Sequence, residues 1–325
     1  MENKIMENQI KYTFLLPAYK PDFFEEALRS IKDQTYSDFK VLVSDDCSPH
    51  DLKSIYNKVC GDDAQFSYRR NEVNMGSKSL VSHWNLLVDM CDTEYLILAS
   101  DDDVYEPTFL EEVDKLAKKY PEVDLIRARV KRFDGKQILE EDSVRKEYES
   151  QIEFLFNSCS VVQIPCIGNY VFRKKALFKN GFYELPLAWG SDEITTNEAS
   201  MNGVAITERI EFSFRWSGIN ISTIENDSTL RQKLEARKKM CLYYRNFFAA
   251  ISSDGSYWQN KMLTYATNDF IQKTYNSIFH YFQVLSFCEL LNLLSFLKAN
   301  NFIQGKKKKL FIIKYWMKKK YLERK

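Results

Sequence analysis

The stretch from Tyr95 to Pro107 constrains this chain more than any other. Tyr95-Leu96-Ile97-Leu98-Ala99 is an apolar run of strand length, and it stops abruptly at Ser100-Asp101-Asp102-Asp103. Pro107 then suits the first turn of a helix. Three adjacent carboxylates repel one another unless a cation or hydrogen-bond donors lie between them. A hard divalent cation favours such oxygen ligands, and Mg²⁺ usually takes one or two carboxylates together with phosphate oxygens. In an α/β sheet, ligands bind beyond the carboxyl ends of the strands. The residues alone leave two readings: a cation site that also holds a diphosphate, or a solvated acidic turn that caps the next helix.

The segments before it repeat one plan. Tyr12–Leu16 is a short apolar run that ends at Pro17, and the prolines of Pro17-Ala18-Tyr19-Lys20-Pro21 stiffen the loop that follows. From Asp22, a plausible N-cap, Phe23, Ala27, Leu28 and Ile31 recur at helical spacing. Phe39–Val43 is a second strand and ends in Ser44-Asp45-Asp46-Cys47-Ser48-Pro49; a helix then runs to about Cys60. Phe66–Arg70 is a third, more exposed strand, Asn74–Ser77 a turn, and Leu80–Met90 an amphipathic helix. A helix from Pro107 and a fifth strand, Val123–Ala128, continue the alternation. Short links between alternating strands and helices predict a mostly parallel sheet covered on both faces. The loops Pro17–Tyr19, Asp45-Asp46 and Asp101–Asp103 then share one edge of it.

The remainder is less regular. Lys131–Glu149 is highly charged and reads as a surface excursion. Val161–Val171 reads as extended, Lys174–Lys179 as a short helix, and Phe182–Trp189 as loop. A helix opens at Gly190-Ser191-Asp192-Glu193, and Val204–Ile206 and Phe212–Phe214 are two short strands. From about Ser228 the pattern is helical and rich in Tyr, Phe and Leu.

Several function classes are excluded. No G-x-G-x-x-G follows a strand and no Walker A loop is present. The net charge of +1 gives no field for nucleic acid. Seven scattered cysteines with no Cys-x-x-Cys pair argue against a disulfide framework and a zinc site, and fit a reducing cytoplasm. Met1–Lys11 is polar, without the apolar core of a signal peptide. The apolar-rich stretch Ile278–Leu297 is broken by His280, Gln283, Glu289 and Asn292, against a spanning helix. His83 and His280 lack partners at ligand spacing and read as structural.

Taken together, residues 10–215 resemble the nucleotide-sugar-binding domain of family 2 glycosyltransferases of the GT-A fold. Leu15-Leu16-Pro17-Ala18-Tyr19 resembles the family's first-strand loop, and Gln34-Thr35 its helix-to-strand link. Val43–Ser48 is similar to a Val-Asp-Asp-Gly-Ser pattern, with Ser44 and Cys47 as departures. Asn74-Met75-Gly76 with Asn85 resembles an Asn-x-Gly…Asn element, and Ser100–Asp103 with Pro107 occupies the place of the D-x-D motif. The acids are shifted, because Ser100 stands at the first acidic position. Aligned from Pro107, Asp102 takes the metal-ligand place and Asp101 the neutral one. Where the family often reads Ala-Arg-Asn, this chain has His83-Trp84-Asn85, so a basic phosphate contact is missing or comes from Arg69, Arg70 or Lys78.

The resemblance implies a donor site of Pro17, Ala18, Tyr19, Asp45, Asp46, Arg70, Asn74, Gly76, Lys78 and Asp101. Tyr19 would stack on a uracil, and Asp46 would accept its imide N–H. Asp102 and Asp103 are the implied ligands of Mn²⁺ or Mg²⁺, a Lewis acid for the leaving diphosphate. Asp192, or next Glu193, at a helix start is the implied catalytic base. Trp189 reads as a sugar platform or a core tryptophan.

The expected organisation is a GT-A domain over 10–227, divided into a nucleotide-sugar half (10–130) and an acceptor half (131–227), then a helical module (228–304) and a basic amphipathic tail (305–325). The expected activity is an inverting, metal-dependent hexosyl or N-acetylhexosaminyl transfer from a nucleotide donor, UDP-sugar favoured. The acceptor is a hydroxyl of a cell-surface glycan or glycolipid. Lys306–Lys309 and Lys318–Lys320 flank Leu310–Ile313 and Tyr315–Met317, a pattern suited to an anionic membrane surface. The chain is therefore expected in the cytoplasm, peripheral to the inner face of the membrane, with the C-terminal helices available for oligomer contacts and no nucleic-acid partner. Two rivals stand: a catalytically inactive glycan-assembly subunit, which the shifted acids favour, and a nucleotidyltransferase. The latter needs a glycine-rich basic loop that Pro17–Pro21 is not.

Overall fold

The computed structural model describes residues 10–177, 181–251, 255–303 and 305–322. They form two compact units: one runs to Glu184 and resumes over Ser191–Asn220, the other comprises Leu185–Gly190 and the chain from Ile221 onward.

The first unit is built on one sheet. Its strands are β1 (Tyr12–Ala18), β2 (Phe39–Asp45), β3 (Phe66–Arg70), β4 (Tyr95–Leu98), β5 (Val104–Tyr105), β6 (Leu125–Phe133), β7 (Ile138–Glu141), β8 (Tyr148–Glu149), β9 (Tyr170–Arg173) and β10 (Val204–Arg215). Their spatial order is β3-β2-β1-β4-β9-β6-β10-β5, with β7 on β6 and β8 on β10. β3, β2, β1 and β4 are parallel, β9 is antiparallel to both neighbours, and β6 and β10 are again parallel. Ala18 pairs with Asp45, Asp45 with Arg70, and Leu15 with Leu98. That register brings the carboxyl ends of the four parallel strands to one rim. β1 and β4 are buried almost throughout, which is why they read as predominantly apolar runs.

The covering helices are α1 (Phe24–Lys32), α2 (Leu52–Val59), α3 (Leu80–Met90), α4 (Phe109–Lys119), α5 (Gln151–Ser160) and α6 (Ser191–Ala199). α1 buries Phe24, Ala27, Leu28 and Ile31, one face at helical spacing. It starts at Phe24, without a side-chain cap from Asp22. Phe23 is its N-cap, and the Phe23 ring centroid lies 4.2 Å from the Arg215 guanidinium. α4 likewise begins at Phe109, two residues beyond Pro107.

Three local expectations are corrected. The two strands expected at 204–206 and 212–214 are one strand, β10. Its polar centre is a bulge against β6, stitched by Thr207, whose hydroxyl donates to the Arg209 carbonyl at 2.8 Å and accepts the Arg129 N–H at 3.0 Å. In the segment 161–171 only Tyr170 and Val171 are strand. Of the helix expected over 174–179, Lys174–Leu177 is a 3₁₀ turn and the rest lies outside the described residues.

A fourth correction concerns the charged segment 131–149, which is not a plain surface excursion. Asp142, Glu149 and the Arg145 side chain are buried. Asp142 Oδ2 lies 2.7 Å from Arg127 Nη1, itself fully buried on β6, and accepts the Val130 N–H at 2.8 Å. Its Oδ1 accepts the Ile164 N–H at 2.7 Å. Arg145 pairs with Glu149, which also accepts from Asn157 at 2.7 Å. The charges neutralise one another inside the fold.

The second unit contains α7 (Asp227–Ala250), α8 (Tyr257–Ile278), α9 (Phe287–Ala299) and α10 (Gly305–Met317). Its core gathers Leu230, Leu234, Tyr281, Phe282, Leu290 and Leu297, with Ile312 and Trp316 from α10. No described helix is long and apolar enough to cross a membrane.

The Asp142–Arg127 pair gives a stability prediction. Asp142→Ala strands a wholly buried guanidinium and two N–H groups, and urea unfolding should show a loss of about 3–5 kcal/mol. An unchanged midpoint would mean that the pair carries no stability.

Candidate functional site

The rim is assembled by the acidic triplet. Asp101, Asp102 and Asp103 are 7%, 6% and 2% exposed, and each does something different. Asp101 Oδ2 accepts the backbone N–H groups of Tyr19 and Lys20, both at 2.8 Å, and so ties the loop after β1 to the loop after β4. Asp102 Oδ2 receives the Lys20 ammonium at 2.8 Å and the Asn220 amide at 3.2 Å. Asp103 Oδ1 accepts the Arg215 N–H at 2.9 Å, facing inward to β10. The Arg215 guanidinium donates to the Asp102 carbonyl at 2.8 Å and to Glu26 at 2.6 Å. The polar contacts of this guanidinium are thus to a carbonyl and to Glu26.

The electrostatics follow from this placement. Burial raises the Asp101 pKa, against the pull of Lys20, and repulsion from Asp102 adds to the rise. Burial, then repulsion from Asp102, hold Asp103 well above the ordinary carboxylate range. The Lys20 ammonium is strengthened by Asp101 and Asp102 although burial opposes it. Three buried carboxylates thus share one nearby ammonium, a donor set that calls for further positive charge.

Alongside lies the loop after β2. Asp45 is fully buried. Its Oδ1 accepts the Ser48 N–H at 2.8 Å and its Oδ2 the Tyr68 hydroxyl at 2.6 Å, and it pairs with Arg70. Arg70, expected on the donor, is thereby committed to Asp45 and to the Ser48 carbonyl at 2.8 Å. Asp46 accepts from Asn71 at 2.8 Å, Met75 N–H at 2.9 Å and Gly76 N–H at 2.7 Å. A Cβ on Gly76 would stand 2.9 Å from Asp46 Oδ2, so this approach requires glycine. Asn74 Oδ1 accepts the Ser77 N–H at 2.7 Å and shapes the same turn, on which Lys78 is exposed. Tyr19 is 40% exposed, Ala18 is buried, and Pro17 precedes them within β1.

The departures from the family pattern have local explanations. Cys47 has φ of +56°, the left-handed region that favours the pattern's glycine. Ser44 and His83 are partners: Ser44 Oγ and His83 Nε2 are 2.9 Å apart in the core, beneath Asp46. Burial lowers the His83 pKa, which keeps the imidazole neutral in this setting.

Asp192 and Glu193 occupy the first turn of α6 after Gly190, whose φ is +87°. The buried Cys166 thiol is pushed up by burial first, then by the Asp103 carboxylate, with smaller effects from Asp142 and Asp192. Both Asp103 and Asp192 therefore lie within electrostatic reach of one buried atom. Asn85 grips Phe182 through both backbone groups, at 2.7 and 3.1 Å, and so fixes the loop after Gly181. In the second unit, Trp189 carries the Lys233 ammonium 4.5 Å and the Arg237 guanidinium 5.4 Å from its ring centroid.

The rim thus brings together Tyr19, Lys20, Asp46, Gly76, Asp101 and Asp102. Sequence reasoning missed Lys20, Glu26, Arg215 and Asn220. Lys20 stood inside a loop already singled out, but Arg215 and Asn220 carried no signal, since their role depends on where β10 ends. Among the described residues, no three His, Cys, Asp or Glu side chains converge as a closed metal cage.

Comparison with known proteins agrees with this architecture. CgeD of Bacillus subtilis (strain 168) is 22% identical over 173 residues, 50% of this chain and 40% of that protein, so the chain spans well under half of that relative. The crystal structure of S. aureus TarS 1-349 in complex with UDP-GlcNAc superposes with a TM-score of 0.62 at 16% identity, covering 85% of this chain and 82% of that one. The mannosyltransferase PcManGT from Pyrobaculum calidifontis, in complex with GDP-Man and Mn²⁺, gives 0.52 at 13% identity over 97% and 88%. These likenesses show a shared GT-A α/β fold. Residues 13–180 match the sequence family described as glycosyl transferase family 2, and at more than half of its length the chain belongs to that family.

Proposed function

We propose that this protein is an inverting glycosyltransferase that moves a sugar from a nucleoside diphosphate donor, a UDP-sugar by preference, to a hydroxyl of a cell-surface glycan. The observation that carries this reading is the Asp101 bridge. It sets the exposed Tyr19 ring and the Asp102 carboxylate on one rim, which supports reading the first as the end for the base and the second as the end for the diphosphate. The TarS and PcManGT complexes with UDP-GlcNAc and GDP-Man lend support.

Each residue then has a task. Tyr19 stacks on the base, and Asp46 offers its remaining lone pair to an imide N–H. Asp102 holds a divalent cation, which supplies Lewis-acid stabilisation of the departing diphosphate. The chemistry of the donor set fits that ion: the carboxylates already gather a cationic ammonium. Asp103 and Arg215 brace the loop. Asp192, with Glu193 as the alternative, takes the proton of the acceptor hydroxyl; the first turn of α6 favours its anion. A single displacement inverts the sugar carbon. In this reading residues 10–130 serve the donor and 131–227 the acceptor. A second reading, an inactive assembly subunit, is favoured by Ser100 at the first acidic position.

The same reading places the protein on a membrane surface. On α10, Leu310, Phe311 and Met317 are 54%, 61% and 43% exposed, and Lys306, Lys307 and Lys314 are exposed with them. At 3.6 residues per turn these six share one side, opposite the buried Ile312 and Trp316. Lysines interleaved with apolar tips suit an anionic lipid interface.

Two predictions follow from these roles. Release of UDP from a UDP-sugar in Mn²⁺ should fall at least about 100-fold in Asp102→Asn and by about 10²–10⁴ in Asp192→Asn; equal metal-dependent turnover in either variant rejects the role assigned to that residue. In co-sedimentation, vesicles containing phosphatidylglycerol should retain the protein at low salt and neutral vesicles should not. Reversing Lys306, Lys307 and Lys314 to Glu should weaken that retention about 100-fold, and equal retention would reject the membrane face.

A further inference from the structure

The acidic triplet holds a cation of its own. Lys20 Nζ lies 2.8 Å from Asp102 Oδ2 and 3.6 Å from Asp101 Oδ1. The two carboxylates are 9% and 8% exposed at the side chain, while the Lys20 side chain is 30% exposed. The ammonium therefore closes the site from the solvent side. Its backbone is pinned by Asp101, but the four-carbon stem retains freedom to swing.

A divalent ion on a carboxylate oxygen sits about 2.0–2.1 Å away for Mg²⁺. An ammonium hydrogen-bonded to that same oxygen fills this volume, and the two positive charges repel. Lys20 and the Asn220 amide both donate to Asp102 Oδ2 and take both of its lone pairs, so an ion entering there displaces the ammonium it repels. Of the three basic contacts expected for the diphosphate, Arg70 is held by Asp45 and Arg69 donates to Met90 Sδ at 3.0 Å, which leaves the exposed Lys78. Lys20 adds a cation that already stands at the triplet. We propose that Lys20 is a tethered counter-ion that competes with the divalent cation for Asp102 and passes to the donor's diphosphate once that ion is seated. Without the ion, it spares the triplet an uncompensated buried charge. With the ion bound, it neutralises the leaving group.

This rests on the donor-site reading of the rim, and the test separates the two. Binding of Mn²⁺ to the full chain is followed by the electron paramagnetic resonance of the free ion, in wild type, Lys20→Met and Lys20→Gln, with folding checked by circular dichroism. Without nucleotide, both variants should bind Mn²⁺ about tenfold tighter, which is about 1.4 kcal/mol. In saturating Mn²⁺, both should bind UDP about tenfold more weakly. Mn²⁺ affinity that is unchanged or lower in the variants overturns the competition, and unchanged UDP affinity overturns the transfer to the diphosphate. If wild type binds Mn²⁺ and UDP and the variants match it, the inference alone fails; if wild type binds neither, the donor-site reading fails with it.

Discussion

One carboxylate oxygen organises the rim. Asp101 Oδ2 takes two successive backbone N–H groups from the loop after β1, at the cost of burying a charge. Once that link is made, much of the neighbourhood follows. The Tyr19 carbonyl accepts the Ser48 hydroxyl at 2.6 Å, and the Ala18 carbonyl accepts the Asp46 N–H at 2.9 Å. The ends of β1, β2 and β4 become one continuous polar lip. Flush strand ends make the lip available, but the Asp101 oxygen closes it.

The second constraint is charge. Carboxylates this close and this dry are tolerated only because donors are distributed among them. Asp101 is satisfied by backbone, Asp102 by ammonium and amide, Asp103 by the backbone of β10. Asp103 and Arg215 thus join the triplet to a strand that arrives more than a hundred residues later. The Arg215 guanidinium rests between the rings of Phe23 and Phe133, at 4.2 and 4.5 Å. A change in this brace would reach the Asp102 carboxylate through the backbone carbonyl that Arg215 holds.

Much of the donor-side fold was legible because its central strands are mostly buried. Tyr12–Leu16, Phe39–Val43 and Tyr95–Leu98 are apolar runs interrupted only at Thr13 and Lys40, and each ends where a polar loop begins. The acceptor-side strands were harder for a definite reason. β10 contains Thr207-Glu208-Arg209, which reads as a break, yet a bulge carries the strand across it. The segment 131–149 reads as solvated because its charges are visible and their partners are not. Asp142 answers Arg127, and Arg145 answers Glu149 from the far end of β8. The shared identity of Ser44 and His83 as departures from the family pattern became intelligible only when they were found in contact.

The placement of β9 has a consequence for how the protein is made. β9 fills the gap between β4 and β6, although Tyr170 is synthesised long after Leu98. A nascent chain that has emerged only through α4 therefore presents the open side of β4, an apolar strand with unpaired backbone groups. Long-range pairing of this kind is slow, and exposed edges recruit other chains. Fragments cut before Tyr170 would carry every rim carboxylate of the donor half and still be poor candidates for isolation, because the sheet that supports them is sealed from its middle.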